Sequence, residues 1–395
     1  MRRIKIYNGK VIGPDKIIDH GSVLIEGPRI AGVAEGDVEF SDAILLDARG
    51  NFISPGFIDI HVHGGGGNDF MDGTEDAFLE VAKLHARYGT TSMLPTTLSG
   101  SRQSLLNVVE LYDQVKNKNT DGSQFLGLHL EGPYFAMSQR GAQDPRYVRD
   151  PDPDEYREVL SRTNSIRRWS GAPELNGAIE FAQYLLTRNV LPALAHTDAI
   201  YEEVIVAFEH GYSLATHLYS AMSGVTRRNA FRYAGVIESA FLIDEMDVEI
   251  IADGVHLPAP LLKLVYKIKG PTRTALITDA MRAAGMPPGN SMLGSLTDGL
   301  PVIVEDGVAK LPDRTSFAGS VATADRLVRT MVTIAGVDLI DAVTMASATP
   351  ARIIGVAQEK GSLQTGKDAD VIIFNDKIEN IMTMIRGKIV FNNLT

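Results

Sequence analysis

Short apolar runs alternate with longer amphipathic stretches along most of the chain. The runs are bounded by turn residues and predict strands, whereas the stretches between them carry apolar residues at helical spacing. The predicted strands are Phe57–His63, Thr91–Thr96, Phe125–Glu131, Arg168–Pro173, Leu191–His196, Ser213–His217, Val248–Ala252 and Thr274–Thr278. The predicted helices are Glu75–Tyr88, Ser101–Lys116, Asp154–Arg162, Gly177–Asn189, Tyr201–His210, Pro258–Lys269, Ala322–Ala335 and Leu339–Ser347.

Eight strand–helix units in succession predict an α/β fold, a (β/α)8 TIM-like barrel. A doubly wound open sheet is the competing architecture, and the barrel is favoured. Short β-like pieces at both ends of the chain predict a small β-sandwich domain built from the two termini. The expected limits are 1–55 and 351–395 for this small domain, and 56–350 for the barrel.

Composition narrows the classes of function. The chain has 395 residues, a formal net charge of −11 and no cysteine. Any metal must therefore be held by His, Asp or Glu. The acidic balance argues against a nucleic-acid partner, and an anionic substrate would need a local cluster of Arg and His. A polar start and the lack of ~18 consecutive apolar residues predict a cytoplasmic protein without a membrane partner.

The pair His61 and His63 ends the first predicted strand and precedes four glycines. Residues i and i+2 of a strand point to the same face, so both imidazoles should aim at one point. Neutral imidazole is a common ligand of divalent zinc, iron and nickel. A single His-x-His pair is equally consistent with two ordinary histidines, so its meaning depends on the rest of the chain.

Further polar residues close the other predicted strands. Because the active site of a barrel lies at the carboxyl ends of its strands, these residues should meet on one rim. They are Glu131 after the third strand, His196 after the fifth, His217 after the sixth, Asp253 and His256 beyond the seventh, and Asp279 beyond the eighth. Together with the first pair, five of the nine histidines fall on this rim, which chance explains poorly.

This set suits metal-dependent hydrolysis. Three or more N or O ligands fix a divalent ion and leave one coordination position for water. A nearby carboxylate can take a proton and pass it to a leaving group, and Asp279 is the residue expected in that role. Glu131 can bind one ion or bridge two. Taken alone, Asp279 could instead cap a helix, and Glu131 could be a charge at a strand end.

The other histidines need no role in chemistry. His85 and His210 lie within or near predicted helices and are interpreted as structural. His129 shares a strand face with Glu131, so it could orient that carboxylate or a ligand. Simple packing is the favoured interpretation of His129.

Longer motifs surround these residues. They are Pro55–Gly64, His129–Pro133, Gly141–Gln143, Ala172–Glu174, Ala195–Asp198, Thr216–Tyr219, Ile251–His256, Thr278–Ala280 and the tail segment Gly361–Asp370. Through them nearly the whole chain resembles the amidohydrolase superfamily and, within it, the N-acetylglucosamine-6-phosphate deacetylase family. The resemblance implies a hydrolase of amino-sugar catabolism. Such an enzyme converts an N-acetylhexosamine 6-phosphate into acetate and the amino sugar phosphate.

The resemblance also assigns roles to residues. It implies a main divalent ion (Zn, Fe, Mn or Ni) on Glu131, His196 and His217, and Asp279 as the acid/base. A second ion could be held by His61, His63 and Glu131, with Asp279 as a further ligand. The implied substrate contacts are Ala142, Gln143, Ser220, Ala221, His256, Phe317, Ala318 and Gly319. Gln143 is a candidate for polarising the amide carbonyl.

The sequence departs from the family pattern after His217. Ser220 stands where Asn is usual, and residues 227–235 replace the familiar Arg-Glu-Pro-Gly. This stretch should supply the Arg that binds phosphate, and Arg228 and Arg232 are the candidates. In the family such an Arg can act across a homodimer interface, so a homodimer is expected. A solvated basic loop is the alternative.

Other functions stay open. Dihydroorotase- and hydantoinase-like amidohydrolases usually carry a carboxylated Lys on the fourth strand, and residues 167–174 contain no Lys. N-acetylgalactosamine 6-phosphate and unphosphorylated N-acetyl sugars would suit the same residues. An inactive barrel acting as a binding protein should lack a ligand or the acid/base, and neither is missing.

Overall fold

Eight parallel strands form a barrel in the computed structural model, which describes residues 2–394. They are β1 (Phe57–Val62), β2 (Thr90–Thr97), β3 (Leu128–Glu131), β4 (Ile166–Gly171), β5 (Leu191–Leu194), β6 (Leu214–Ala215), β7 (Asp247–Ile250) and β8 (Thr274–Leu276). Each strand pairs with its neighbours in chain order, and a bridge between Val62 and Ala280 joins the first strand to the segment that follows the last. The predicted (β/α)8 barrel is therefore confirmed, and the open sheet is excluded.

Within residues 2–394, ten α-helices accompany these strands. They are α1 (Glu75–Arg87), α2 (Arg102–Val115), α3 (Pro153–Arg162), α4 (Ala178–Thr187), α5 (Tyr201–Glu209), α6 (Val236–Leu242), α7 (Ala259–Lys269), α8 (Ala324–Thr333), α9 (Leu339–Ala346) and α10 (Ala348–Ile353). The first shows why they form where they do. Thr74 caps α1 by accepting a hydrogen bond from the backbone N–H of Ala77, and Phe78, Val81 and His85 share its buried face.

Both termini build one small β domain, as predicted. Its strands are Arg3–Ile12, Ile17–Glu26, Arg29–Glu35, Ile44–Asp47 and Phe52–Pro55, joined by Val371–Phe374, Asn380–Ile385 and Lys388–Asn392. They form a single hydrogen-bonded sheet in which Ile373 lies opposite Ile53. Apolar residues from both ends of the chain share its core, so neither terminus could fold this domain alone.

Within residues 2–394, three β insertions were not predicted, the smallest being the ribbon of Gly64–Gly65 with Asn68–Asp69. A four-stranded antiparallel sheet follows β8 and consists of Gly289–Leu293, Leu300–Glu305, Val308–Lys310 and Phe317–Ser320. A hairpin of Thr226–Arg228 and Phe231–Tyr233 follows β6. The four-stranded sheet, called the insert sheet below, brings residues 317–319 to the rim of the barrel.

Several predicted strands extended too far. The expected ends at His196, His217 and Thr278 are wrong, because β5, β6 and β8 end at Leu194, Ala215 and Leu276. The backbone φ angles of His196 and His217 are +48° and +31°, and that of Asp279 is +47°. A left-handed residue cannot continue a strand. Such strain in non-glycine residues is typical of functional sites, and here it turns each side chain inward over the barrel.

Candidate active site

Six predicted residues meet on the rim at the carboxyl ends of the strands. Glu131 is the last residue of β3, and His61 lies in β1 with His63 just beyond it. His196, His217 and Asp279 follow β5, β6 and β8. All six side chains are buried. They form two groups, Glu131–His196–His217 and His61–His63–Asp279, within each of which the candidate ligand atoms lie within 4.8 Å of one another.

The first group is centred on the Glu131 carboxylate. Its Oε1 lies 3.0 Å from Nε2 of His217 and 3.4 Å from Nε2 of His196. Nδ1 of His196 donates a hydrogen bond to the carbonyl oxygen of Gln139 at 2.9 Å. That bond fixes the tautomer of His196 and leaves the lone pair of Nε2 facing the carboxylate.

The second group shares the same space. The Nε2 atoms of His61 and His63 are 3.2 Å apart, and Oδ1 of Asp279 lies 3.1 Å from Nε2 of His63. Glu131 is 3.4 Å from each of these imidazoles, so it links the two groups. Nδ1 of His63 donates to the carbonyl oxygen of Thr96 at 3.3 Å, which again turns Nε2 toward the centre.

The glycines after His63 allow the loop to double back beside the site. A Cβ on Gly64 would lie 2.4 Å from the carbonyl oxygen of Asn68 and 2.9 Å from the backbone nitrogen of Arg282. Both distances are shorter than a carbon atom can tolerate. Glycine is therefore required where β1 meets the chain that carries Asp279.

Burial and neighbouring charges act in opposite directions on the ionisable groups. Burial favours protonation of Glu131, but the charge of His61 and hydrogen bonds from two further imidazoles hold its pKa well below the ordinary value. Burial opposes ionisation of Asp279 too, yet His61 and His63 lower its pKa. Burial disfavours a charged His63, but Asp279 and Glu131 raise its pKa to about 9. Both carboxylates are therefore anionic at neutral pH.

The donor set fits divalent metal ions. Four imidazole Nε2 atoms and two carboxylates converge. Among the described residues, no Lys or Arg side chain lines the cavity and could balance the charges of the two carboxylates. Nδ1 of His61 and Nδ1 of His217 are buried without a hydrogen-bond partner. Nitrogen and oxygen ligands in this number suit zinc, iron, manganese or nickel.

A buried ion pair supports the site from within the barrel. Arg168 on β4 and Glu249 on β7 are both inaccessible to solvent, and Arg168 also donates to Oγ1 of Thr216 at 2.6 Å. Oε2 of Glu249 lies 3.7 Å from Nδ1 of His61. Sequence reasoning missed this pair, because its two members are far apart in the chain and neither lies in a motif.

A cavity of about 290 Å³ opens above the candidate metal ligands. Seven of the expected substrate contacts line it, namely Ala142, Gln143, Ser220, Ala221, His256, Phe317 and Gly319. Ala318 does not line the cavity, because its side chain packs in the core of the insert sheet. Arg228 and Arg232 also do not line it. They lie exposed on the hairpin after β6, with the Arg228 guanidinium over the ring of Tyr233.

Two polar residues on the cavity wall are held by identifiable partners. Nδ1 of His256 donates to Oδ2 of Asp253 at 2.8 Å, and Asp253 also accepts from the backbone N–H of His256. Nε2 of Gln143 donates to Oε2 of Glu131 at 2.7 Å. Asp253 was placed on the rim by its sequence position but given no role. Its spacing of three residues from His256 is the signal that could have assigned one.

Three histidines outside the two groups, His85, His129 and His210, make contacts that support their interpretation as structural. His129 is fully buried, lies 2.7 Å from Oγ of Ser170 through Nε2 and packs edge-on against the ring of His61. Nε2 of His85 donates to the carbonyl oxygen of Gly64 at 2.9 Å. His210 bonds its own helix at the carbonyl of Val206.

Among the described residues, no helix is long and apolar enough to cross a membrane.

The chain is similar to sugar-phosphate deacetylases over nearly its whole length. The amidohydrolase family model matches residues 52–390. An N-acetylglucosamine-6-phosphate deacetylase of Vibrio furnissii is 33% identical over 396 residues, covering 100% of this chain and 95% of the relative. An N-acetylgalactosamine-6-phosphate deacetylase of Escherichia coli O157:H7 is 32% identical, covering 91% and 93%.

Solved structures agree with the sequence relatives. The deacetylase of Mycobacterium smegmatis, in a mutant form bound to N-acetyl-D-glucosamine-6-phosphate, is 30% identical and superposes with a TM-score of 0.90. The match covers 99% of this chain and 100% of that one. Identity at this level over the full length, together with the family model, establishes the relationship. The chain belongs to the amidohydrolase family and, within it, to the N-acetylglucosamine-6-phosphate deacetylase family.

Proposed function

We propose that this enzyme hydrolyses the acetamide of N-acetyl-D-glucosamine 6-phosphate to acetate and glucosamine 6-phosphate. The proposal rests on one observation: a complete set of candidate metal ligands lies beside a substrate-sized cavity at one rim of the barrel. The full-length relatives of this chain are deacetylases of this kind. The reaction belongs to amino-sugar catabolism.

Glu131, His196 and His217 would hold the main divalent ion, and His61 and His63 with the two carboxylates would hold a second. A divalent ion in such a site supplies Lewis acidity, which polarises a carbonyl and lowers the pKa of water towards ~7. The hydrogen bonds of His196 and His63 to backbone carbonyls orient the imidazoles for this purpose.

Asp279 is the proposed acid/base. Its carboxylate is anionic at neutral pH and lies at the centre of the site, so it can accept a proton from the attacking water. It then returns that proton to the departing amine nitrogen. The water oxygen ends in acetate, the C–N bond breaks, and the sugar keeps its amine.

Gln143 and His256 are the proposed orienting residues. One amide hydrogen of Gln143 is bound by Glu131, and we assign the other to the carbonyl oxygen of the acetamide. His256 gives its Nδ1 hydrogen to Asp253, which leaves Nε2 to accept from a sugar hydroxyl. The fixed tautomer makes His256 an acceptor rather than a second donor on the cavity side.

The phosphate needs a cation that the cavity wall does not contain. The net charge of −11 would repel a sugar phosphate at long range. Arg228 and Arg232 project on the exposed hairpin after β6, and we assign the phosphate to one of them, supplied by the second subunit of a homodimer. Arg suits the task because its planar fork matches phosphate oxygens.

The test is a substrate comparison on metal-replete enzyme with its metal content counted. N-acetylglucosamine 6-phosphate is compared with N-acetylglucosamine and with N-acetylgalactosamine 6-phosphate, the substrate named for the Escherichia coli O157:H7 relative. A strong preference for the first supports the proposal. Preference for the galactosamine epimer would move the substrate to that sugar. Equal rates with and without phosphate would refute the sugar-phosphate assignment.

A further inference from the structure

A second cavity lies directly beside the active-site cavity. Its volume is about 230 Å³. Leu98, Ala142, Gln143 and Leu293 line both cavities. We call these four residues the partition.

The partition is apolar except at one end. Leu98, which follows β2, and Ala142 pack against the insert-sheet core to which Leu293 belongs. Gln143 forms the polar end, since it accepts from the backbone N–H of Ser99 at 2.8 Å and donates to Glu131 at 2.7 Å. The partition is thus joined by one hydrogen bond to the metal-ligand cluster.

The acyl group of the substrate should point at this partition. In an eight-stranded barrel, β2 and β3 lie opposite β6 and β7. The polar wall formed by Ser220 and His256 follows β6 and β7, and Leu98 and Gln143 follow β2 and β3. A sugar ring held by the polar wall, with its amide carbon beside Glu131, therefore directs the acyl methyl across the barrel towards Leu98.

Space is available beyond the partition. Met71 and Leu300 contribute further apolar surface to the second cavity, and Ser101 and Ser104 at the start of α2 form another part of its wall. Leu98 is half-buried, whereas Leu293 is buried in the insert sheet. Truncating Leu98 would therefore connect the two cavities with less damage to the fold than truncating Leu293.

We propose that Leu98 and Leu293 set the maximum length of the N-acyl group, and that the second cavity accepts a longer acyl chain once the partition is opened. This inference rests on the proposed deacetylation, and the reaction itself is unchanged. Water adds its oxygen to the acyl carbon, the C–N bond breaks, the nitrogen gains a proton, and butyrate replaces acetate.

The test compares N-acetyl- and N-butyryl-glucosamine 6-phosphate by kcat/KM, with release of the free amine as the readout for both. A closed pocket discriminates by roughly 10–200-fold per methylene, so the wild type should strongly prefer the acetyl substrate. Leu98→Ala should raise the butyryl-to-acetyl ratio at least tenfold. Leu300→Ala is the matched control, because it enlarges the second cavity without opening the partition, and its ratio should stay at the wild-type value.

Filling the second cavity with a large side chain should reverse the effect of Leu98→Ala. Ser104→Phe added to Leu98→Ala should return the ratio towards that of the wild type, because the phenyl ring occupies the space that the acyl chain would use. An unchanged ratio in Leu98→Ala, or equal rates on both substrates in the wild type, would overturn the inference. If the wild type does not cleave the acetyl substrate, the proposed function fails instead, so the two failures are distinguishable.

Discussion

Asp279 is the carboxylate assigned to both proton transfers, and Asp279→Asn removes its charge and basicity while keeping its shape. Its Oδ1 lies 3.1 Å from Nε2 of His63 and 3.5 Å from Nε2 of His61. An Asn oxygen can occupy the same position. We therefore expect the variant to fold and to keep the divalent ion assigned to Glu131, His196 and His217, a group that does not include Asp279.

The magnitude follows from the number of steps that lose their catalyst. General acid–base catalysis contributes typically 10²–10⁴-fold, or about 2.7–5.4 kcal/mol of transition-state stabilisation. In the proposed mechanism Asp279 acts first as base and then as acid, so the loss in kcat should be near the upper end, about 10⁴-fold. KM should change little, because the proposed substrate contacts Ser220 and His256 and the Arg proposed to bind phosphate are untouched.

The assay measures amine release against substrate concentration, with ions per chain counted on the same sample and the metal supplied in excess. Asp253→Asn is the comparison variant, because it weakens the orientation of His256 and should raise KM more than it lowers kcat. A kcat of Asp279→Asn within tenfold of wild type, at equal metal content, would refute the assignment of the proton transfers.

Three further outcomes concern stability. Glu249→Leu leaves the Arg168 guanidinium buried and unpaired, so the free energy of unfolding measured with urea should fall by about 3–5 kcal/mol. Adding Arg168→Met should recover most of this loss. Equal stability of the single and double variants would contradict the prediction. Burial lowers the pKa of His85 to about 4. Since an unfolded His takes up a proton near pH 6.5, stability should fall as pH drops from 7 to 5, by about 2 kcal/mol more in wild type than in His85→Gln. Removal of divalent ions by a chelator should lower Tm, and added Zn²⁺ or Mn²⁺ should restore it, because the ligand set exists only in the folded chain; a Tm indifferent to chelation would argue against bound metal.

The periodic pattern of apolar residues in the sequence predicted most of the architecture. Every barrel strand lies within or close to its expected range, because buried parallel strands are continuous apolar runs that differ clearly from amphipathic helices. The two-residue spacing of His61 and His63 correctly placed both imidazoles on one face. The limits 1–55, 56–350 and 351–395 for the domains stay a prediction.

Features that depend on tertiary context were not predictable in this way. The insert sheet and the hairpin after β6 consist of short, half-exposed strands whose pattern resembles that of loops. The left-handed backbone at His196 and Asp279 has no signature in the sequence, since neither residue is a glycine. Their strands therefore seemed longer than they are. The pairing of Arg168 with Glu249 joins β4 to β7 and becomes visible only once the barrel is closed.

The contact between the first and last strands of the barrel determines when the folding chain becomes active. The backbone N–H of Asp279 donates to the carbonyl of His61, and Thr278 binds Asp59, which lies 219 positions earlier in the chain. Contacts between such distant segments form late, because closing a long loop costs entropy that local contacts do not repay. The His61–His63–Asp279 group thus comes into being only when the first and last strands meet. During refolding, hydrolysis should therefore begin only when the barrel closes. Activity would then be recovered later than any spectroscopic signal of helix formation.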